Sequence, residues 1–276
     1  MSEPNYYIQG GGLPPQQDLL TGRAVLTAAY AVMPRGVIRD IVASRLPFWR
    51  ASRFWVLARP MSGFAESFSH YIADIDPGGG TERPEAEAGV EAALFVTGGQ
   101  LGVDCAGSPH TLGPGSFAYL PPGAAWSVTN PGQAKAQFHW FRKLYRPVDG
   151  LEAPPFAVAQ EREHAPAAMP GTDGRWATTR FIDPDDLRHD MHINIVTLQP
   201  GASIPFMETH VMEHGLYVLE GKGVYRLNRD WVEVEAGDYM WLRSFCPQAC
   251  YAGGPGPFRY LLYKDVNRHP PLIGPL

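Results

Sequence analysis

Short apolar runs, bounded by glycine, proline, asparagine and aspartate, dominate the hydrophobic pattern of the chain. Each run has the length of a strand and is rich in aromatic or β-branched residues, which favour extended backbone. The runs occupy residues 54–57, 93–97, 117–120, 193–198, 216–219, 239–242 and 259–263. Helical periodicity is scarce, and the frequent turn residues between the runs predict an all-β sandwich or barrel.

Composition agrees with this prediction and limits the function classes. The chain has 276 residues, 45% hydrophobic and 18% charged, which is enough apolar material for one large or two ordinary domains. Its 30 glycines and 27 prolines suit tight turns and exclude a helical bundle. The formal net charge of -5 argues against a nucleic-acid partner, which needs clustered positive charge.

Several features favour a cytoplasmic location. The first residues lack the basic start and apolar run of a signal peptide, and no apolar stretch approaches the roughly 18 residues of a membrane span. Three cysteines, Cys105, Cys246 and Cys250, cannot all pair within one chain, so we expect buried free thiols in a reducing compartment. We therefore predict no membrane partner.

The chain divides at a polar, proline-rich segment, residues 147–175, which we interpret as a linker. The halves on either side share a layout. Gly115 precedes Trp126 by eleven residues, and Gly237 precedes Gln248 by the same interval. This repeat indicates an internal duplication, with an N-terminal domain of residues 1–150 and a C-terminal domain of residues 151–276.

The repeated layout resembles the two sequence motifs of the cupin superfamily. That resemblance implies a bicupin, with two jelly-roll β-barrels in tandem. In the N-terminal half the paired histidines of the first motif are missing, Glu85 and Glu87 lie nearby, and Trp126 replaces the histidine of the second motif. We therefore expect a degenerate, metal-free N-terminal barrel in which Trp126 fills space.

The C-terminal half carries a set of metal-binding residue types. Glu208 and His210 are two residues apart, so a strand would place both side chains on one face. His214 lies four residues further on, close enough to reach a paired strand beginning at Leu216, and Gln248 stands where cupins carry a fourth ligand. This mixed nitrogen and oxygen set suits Mn²⁺, Fe²⁺, Ni²⁺ or Zn²⁺ better than Ca²⁺.

Two competing interpretations concern the same stretch. His210 to His214 also spells H-x-x-E-H, a peptidase motif that requires a helix, whereas strand and turn patterns surround it here. Glu213 is a rival carboxylate, for which we favour a surface position or a supporting role behind the ligands. His192 lies on a predicted strand that enters the second barrel, where we expect a structural or supporting role rather than a ligand.

The C-terminal segment resembles the (S)-ureidoglycine aminohydrolase family more closely, because E-x-H-x3-H replaces the usual H-x-H-x3-E and Gln248 replaces the last histidine. The resemblance implies a manganese-dependent bicupin that converts (S)-ureidoglycine to (S)-ureidoglycolate and ammonia in purine and allantoin breakdown. It also implies Mn²⁺ ligands, substrate-binding residues and catalytic residues in this chain. The ligands are Glu208, His210, His214 and Gln248, the substrate-binding residues are Tyr225, Tyr260 and Lys264, and the catalytic residues are Glu208 and Lys264.

Physical reasoning on the same residues leads to a partial mechanism. Tyr260 and Lys264 share one face of a strand, and a lysine that enters a barrel needs a partner such as a substrate carboxylate. Loss of ammonia would give an imine-like species to which water adds from a fixed side. Two other classes remain open: a non-haem iron oxygenase or isomerase, and a non-catalytic small-molecule-binding bicupin. We also expect a homo-oligomer, with Phe48, Trp49, Phe54 and Trp55 either at its interface or in the first core.

Overall fold

A computed structural model describes residue 6, residues 22–37 and residues 44–265. Within these ranges the chain forms 21 β-strands and one short 3₁₀ turn at Glu161–Glu163, which confirms the predicted all-β class. All seven predicted apolar runs lie inside strands, and no described helix is long and apolar enough to cross a membrane. The strands are β1 (Val25–Leu26), β2 (Tyr30–Met33), β3 (Trp49–Ala58), β4 (Phe68–Thr81), β5 (Val90–Gly98), β6 (Leu101–Cys105), β7 (Ser108–Leu112), β8 (Ser116–Leu120), β9 (Trp126–Thr129), β10 (Ala136–Leu144), β11 (Ala157–Gln160), β12 (Ala167–Ala168), β13 (Trp176–Arg180), β14 (His192–Leu198), β15 (Ser203–Glu208), β16 (His214–Glu220), β17 (Lys222–Leu227), β18 (Asp230–Glu235), β19 (Tyr239–Leu242), β20 (Gln248–Ala252) and β21 (Phe258–Lys264).

The strands form two jelly-roll barrels. The N-terminal barrel is a curled nine-stranded sheet in the order β11-β8-β5-β10-β4-β9-β6-β7, with β3 paired to β4. The C-terminal barrel has an eight-stranded sheet in the order β1-β2-β19-β16-β21-β14-β13-β12. A four-stranded sheet, β15-β20-β17-β18, completes that barrel.

Two segments cross the predicted boundary at residue 150. Strands β1 and β2 belong to the sheet of the C-terminal barrel, where β2 pairs with β19. Strand β11 belongs to the N-terminal barrel, where it pairs with β8. The interval 147–175 is therefore more than a linker, because it supplies a strand that covers an otherwise open sheet edge.

Alternation along the strands builds three apolar cores. On β21, Phe258, Tyr260 and Leu262 face the interior of the C-terminal barrel, whereas Leu261 and Tyr263 face the other barrel. The third core fills the N-terminal barrel. Both faces of β21 are thus buried, which explains its nearly continuous apolar sequence.

Aromatic side chains occupy the interior of the N-terminal barrel. Trp126 is buried there, with its ring centroid 5.5 Å from that of Trp140 and 6.4 Å from that of Trp49. The Trp49 indole N–H donates to Glu85 Oε1 at 2.8 Å, and Glu87 pairs with Arg142. Both acidic residues near the degenerate motif therefore already have protein partners.

The aromatic residues considered for an oligomer interface have different locations. Trp49 and Phe54 belong to the core of the N-terminal barrel, and Trp55 lies in the core between the barrels. The interface interpretation is wrong for these three. Phe48 alone of the four is exposed, with the Arg83 guanidinium 3.4 Å from its ring centroid.

Candidate metal and substrate site

A cavity of about 310 Å³ opens inside the C-terminal barrel, between its two sheets. It is lined by all four predicted metal ligands together with Tyr260 and Lys264. Residues from strands of both sheets face it, so the site exists only when the barrel is closed.

Glu208 reaches the cavity because strand β15 is irregular. Ile204 pairs in register with Cys250, but Glu208 pairs with Gln248, so the register shifts between the two pairs. The extra residues bulge outward, and Phe206 and Met207 are exposed. Bulges of this kind turn a side chain toward a new direction. Here the bulge places Glu208 directly opposite Gln248.

His210 and His214 are positioned differently from the sequence prediction. Strand β15 ends at Glu208, so His210 lies in the following loop, and the same-face argument for these two residues is wrong. The loop still brings His210 Nε2 to 3.4 Å from Glu208 Oε1. His214, rather than Leu216, begins β16, which pairs with β19 and β21 in the opposite sheet. The four side chains therefore bridge the two sheets.

His214 is suited to metal binding by its surroundings. It is buried, and burial together with the nearby Lys264 and His210 charges holds the pKa of its imidazole well below the usual value. A neutral imidazole keeps a nitrogen lone pair available for a metal ion. The His210 and His214 ring centroids are 5.0 Å apart.

The four side chains have the donor chemistry that a divalent ion requires. Gln248 is buried and lines the cavity, and its side-chain amide oxygen is a possible metal donor. In residues 44–265 no three histidine, cysteine, aspartate or glutamate side chains are already gathered at metal distances. Glu208, His210 and His214 share the cavity without forming such a group.

The predicted substrate-binding residues occupy two layers. Tyr260 and Lys264 line the cavity, as the inward face of β21 requires. Burial lowers the pKa of Lys264; nearby Glu208 raises it and Arg180 lowers it. Tyr225 is not among the described residues lining the cavity; it is buried behind Tyr260, with the ring centroids 6.2 Å apart.

Four polar side chains that the sequence analysis did not assign to the site also line the cavity: Thr178, Arg180, His192 and Asn194. They extend from β13 and β14 beside β21, and His192 pairs in register with Lys264. His192 Nε2 is buried without a hydrogen-bond partner among the described residues. The period-two alternation of β14 contains this signal, because His192 and Asn194 share the face of Val196 and Leu198.

The other candidate residues, Glu213 and the cysteines, are buried outside the cavity lining. Glu213 is buried and hydrogen-bonded to the N-terminal barrel, so the surface interpretation is wrong. Cys246 and Cys250 are free and buried, as predicted, and Cys105 is too.

Sequence comparison places both barrels in one domain family. The cupin domain matches residues 71–142 and again residues 194–263, one match in each barrel. The chain is 58% identical to a Pseudomonas aeruginosa protein whose crystal structure carries the provisional description of a glyoxylate-induced protein. The two superpose with a TM-score of 0.91 over 99% of this chain and 100% of the other.

Two relatives have named activities. The chain is 31% identical to (S)-ureidoglycine aminohydrolase of Escherichia coli (strain K12), over 92% of this chain and 95% of that protein. It is also 31% identical to (S)-ureidoglycine aminohydrolase of Arabidopsis thaliana, over 83% of this chain and 74% of that protein. The chain therefore belongs to the cupin family and, within it, to the (S)-ureidoglycine aminohydrolase family.

Proposed function

We propose that this protein is a hydrolase that converts (S)-ureidoglycine and water to (S)-ureidoglycolate and ammonia in purine catabolism, using Mn²⁺ in its C-terminal barrel. The observation that carries the proposal is the cavity that Glu208, His210, His214 and Gln248 share with Lys264. Relatives named for this reaction, at 31% identity, support the choice of substrate.

Glu208, His210, His214 and Gln248 are the proposed Mn²⁺ ligands. One carboxylate, two imidazoles and an amide oxygen form a mixed donor set that suits this ion. When bound, the ion supplies Lewis acidity and open positions that orient the substrate. The N-terminal barrel has no assigned ligands, since Trp126 fills its interior, so we expect one ion per chain.

The cavity wall formed by β21, β14 and β13, beside His214, matches the remaining groups of ureidoglycine. Lys264 lies between His192 and His214 in the register of the sheet, so its ammonium can hold the substrate carboxylate close to the ligands. Arg180 pairs in register with Asn194, one strand further away. Arg180 can donate to the ureido carbonyl, and Asn194 can accept from a ureido N–H.

The reaction replaces one bond at the central carbon. The carbon–nitrogen bond to the amine breaks, a carbon–oxygen bond to water forms, and a proton from water leaves with the ammonia. The wall formed by Lys264, Arg180 and Asn194 fixes which face of that carbon meets water, which is how one enantiomer of the product arises.

Ammonia release from freshly prepared (S)-ureidoglycine, with and without Mn²⁺, tests this function. We expect Glu208→Ala and His210→Ala to lose bound Mn²⁺ and ammonia release together, because each removes a ligand. A metal-free variant with full activity contradicts the scheme. Oxygen uptake without ammonia release favours an oxygenase, and absence of any metal favours a binding protein.

We further propose a cytoplasmic homo-oligomer. The three free thiols support a reducing compartment. Phe206, Trp231 and Tyr251 are exposed, and all line a groove on the four-stranded sheet, where another copy can cover them. A single-chain mass by light scattering rejects the oligomer.

A further inference from the structure

Glu213 lies in the short loop that joins two proposed metal ligands, His210 and His214. The loop has no regular secondary structure between β15 and β16. Although its neighbour Met212 lines the cavity, the Glu213 side chain turns away from it and is buried at the junction of the two barrels. A buried carboxylate is costly unless donors surround it.

Four donors surround the Glu213 carboxylate. The backbone N–H of Glu66 donates to Oε1 at 3.0 Å, and that of Ser67 donates to Oε2 at 3.0 Å. The Ser67 hydroxyl also donates to Oε2. The fourth donor is the Trp241 indole, 2.6 Å from Oε1. Three of the four donors thus come from the N-terminal barrel, and together they match the acceptor capacity of an ionised carboxylate.

The backbone of Glu213 is held as well. Its N–H donates to Asp265 Oδ1 at 2.7 Å, and Asp265 directly follows Lys264. Glu213 therefore also connects the loop between His210 and His214 to the end of β21, the strand that carries Lys264. Gly215, on the other side of His214, packs against the Phe68 ring from the N-terminal barrel.

We infer that Glu213 is a positioning residue through which the N-terminal barrel sets the loop carrying His210 and His214, an inference that rests on the proposed metal site. The N-terminal barrel contributes to the site without lining it, because it fixes a loop that has no strand partners of its own. Loss of the Glu213 carboxylate frees this loop, and a free loop must be ordered again whenever the ion binds.

Glu213→Gln tests the inference with almost no change in volume. The amide N–H₂ of the glutamine would face N–H donors that cannot accept a hydrogen bond from it. The contacts that hold Glu213 against the N-terminal barrel are therefore weakened. We expect Mn²⁺ affinity, measured by titration calorimetry, to fall at least about tenfold, as for other residues that support metal ligands. We also expect faster hydrogen exchange of residues 209–214 in the metal-free protein. Ser67→Ala, which leaves Glu213 intact, should shift both quantities in the same direction by less.

Glu161→Gln is the matched control. Glu161 is another buried carboxylate between the barrels, paired with Arg259 at the end of β21 far from Lys264. This variant should be less stable, with unchanged Mn²⁺ affinity and unchanged exchange in residues 209–214. A Glu161→Gln effect on both quantities equal to that of Glu213→Gln overturns the inference, because general destabilisation then explains both.

The inference is also overturned if the Glu213→Gln protein has the same Mn²⁺ affinity and the same hydrogen exchange in residues 209–214 as the wild type. If Glu213→Gln does not fold, the Ser67→Ala variant provides the test. Unchanged Mn²⁺ affinity and unchanged hydrogen exchange in Ser67→Ala then overturn the inference. If the wild type binds Mn²⁺ without releasing ammonia from ureidoglycine, the proposed reaction is wrong. The Mn²⁺ affinities then still test whether Glu213 positions the loop. If the wild type binds no Mn²⁺, exchange in the metal-free loop alone supports or overturns the inference.

Discussion

Arg180 and Lys264 line the same cavity, and neither has an ion-pair partner at 4 Å or closer within the described residues. The Glu208 carboxylate is the one acidic group among the described lining residues, and it is a proposed metal ligand. An enclosed cation without a partner lowers stability unless a ligand supplies the opposite charge or an acceptor. The two cations therefore indicate a substrate with an anionic group and a second acceptor.

Replacement of Arg180 by glutamine tests whether this residue binds the substrate. We expect KM for ureidoglycine to rise roughly 10- to 100-fold with unchanged Mn²⁺ content, because one charge-assisted hydrogen bond of about 1.5–3 kcal/mol is lost. Steady-state ammonia release measures KM. Arg175→Gln is a suitable control, since Arg175 is exposed and donates to the Pro200 carbonyl. Equal effects in both variants exclude a specific role for Arg180.

Single residues show how far the sequence could lead. Glu208, His210, His214 and Gln248 are brought to one cavity, as the motif spacing predicted. The route by which they converge could not be predicted, because the β15 bulge and the loop at His210 depend on pairing with β20. Arg180 was missed because no motif marks it and the proposed metal ligands that share its cavity are distant from it in sequence.

At the scale of elements, β16 forms the contact between the proposed site and the other barrel. His214 faces the cavity, and the next residue, Gly215, faces the opposite way. A Cβ atom at Gly215 would lie 2.9 Å from Phe68 Cζ and 2.9 Å from the Tyr239 hydroxyl, closer than carbon contacts allow. Glycine here lets the two barrels approach.

The variant Gly215→Ala should therefore destabilise the protein. We expect a loss of about 1–3 kcal/mol in the free energy of unfolding, typical of overpacking in a core, measured by urea denaturation. Gly256→Ala provides the comparison, because nothing lies within 4 Å of a Cβ at that position. A Gly215→Ala protein as stable as the Gly256→Ala protein contradicts the packing argument.

Strands were predictable, but their partners were only partly so. Alternating and apolar runs identified β5, β8, β14 and β21, because local sequence carries that signal. The membership of β1 and β2 in the distant sheet was not predicted, since short strands lack a periodic pattern and β19, the strand with which β2 pairs, is more than 200 residues away. Pairing between such distant segments depends on tertiary packing, which periodicity does not report.

At the scale of the whole molecule, a histidine pair lies between the two barrels. His70 Nε2 and His139 Nδ1 are 2.9 Å apart and fully enclosed. The His139 ring centroid is 4.4 Å from that of Tyr217, across the junction. Burial lowers the pKa of His139 to about 3, and burial with the neighbouring His139 lowers the pKa of His70 well below its usual value.

This pair makes stability depend on pH. In the unfolded chain both histidines take up protons near pH 6.5, whereas the folded protein keeps them neutral, so acidification favours unfolding. We expect each histidine to remove up to about 1.4 kcal/mol per pH unit below about pH 6.5. Denaturation of the metal-free protein between pH 7 and pH 5 measures this slope.

Variants separate this pair from other titrating groups. His139→Gln should give a shallower dependence on pH, whatever its stability at pH 7. His110→Gln, on β7 of the N-terminal barrel, should keep the wild-type slope. If the stability of the His139→Gln protein depends on pH as steeply as that of the wild type, the histidine pair is not the cause of the acid sensitivity.

Strands β1 and β2 tie residues 22–37 to the barrel that carries the proposed site. The Arg23 side chain and the Arg35 backbone N–H both bind the Asp238 carboxylate, and the Tyr30 hydroxyl donates to Asp230 at 2.7 Å. The two barrels therefore cannot be exchanged between proteins as separate gene modules at residue 150. A C-terminal fragment cut there would expose the hydrogen-bonding edge of β19, inviting aggregation. A recombination junction that respects this architecture must carry residues 22–37 along with the second barrel.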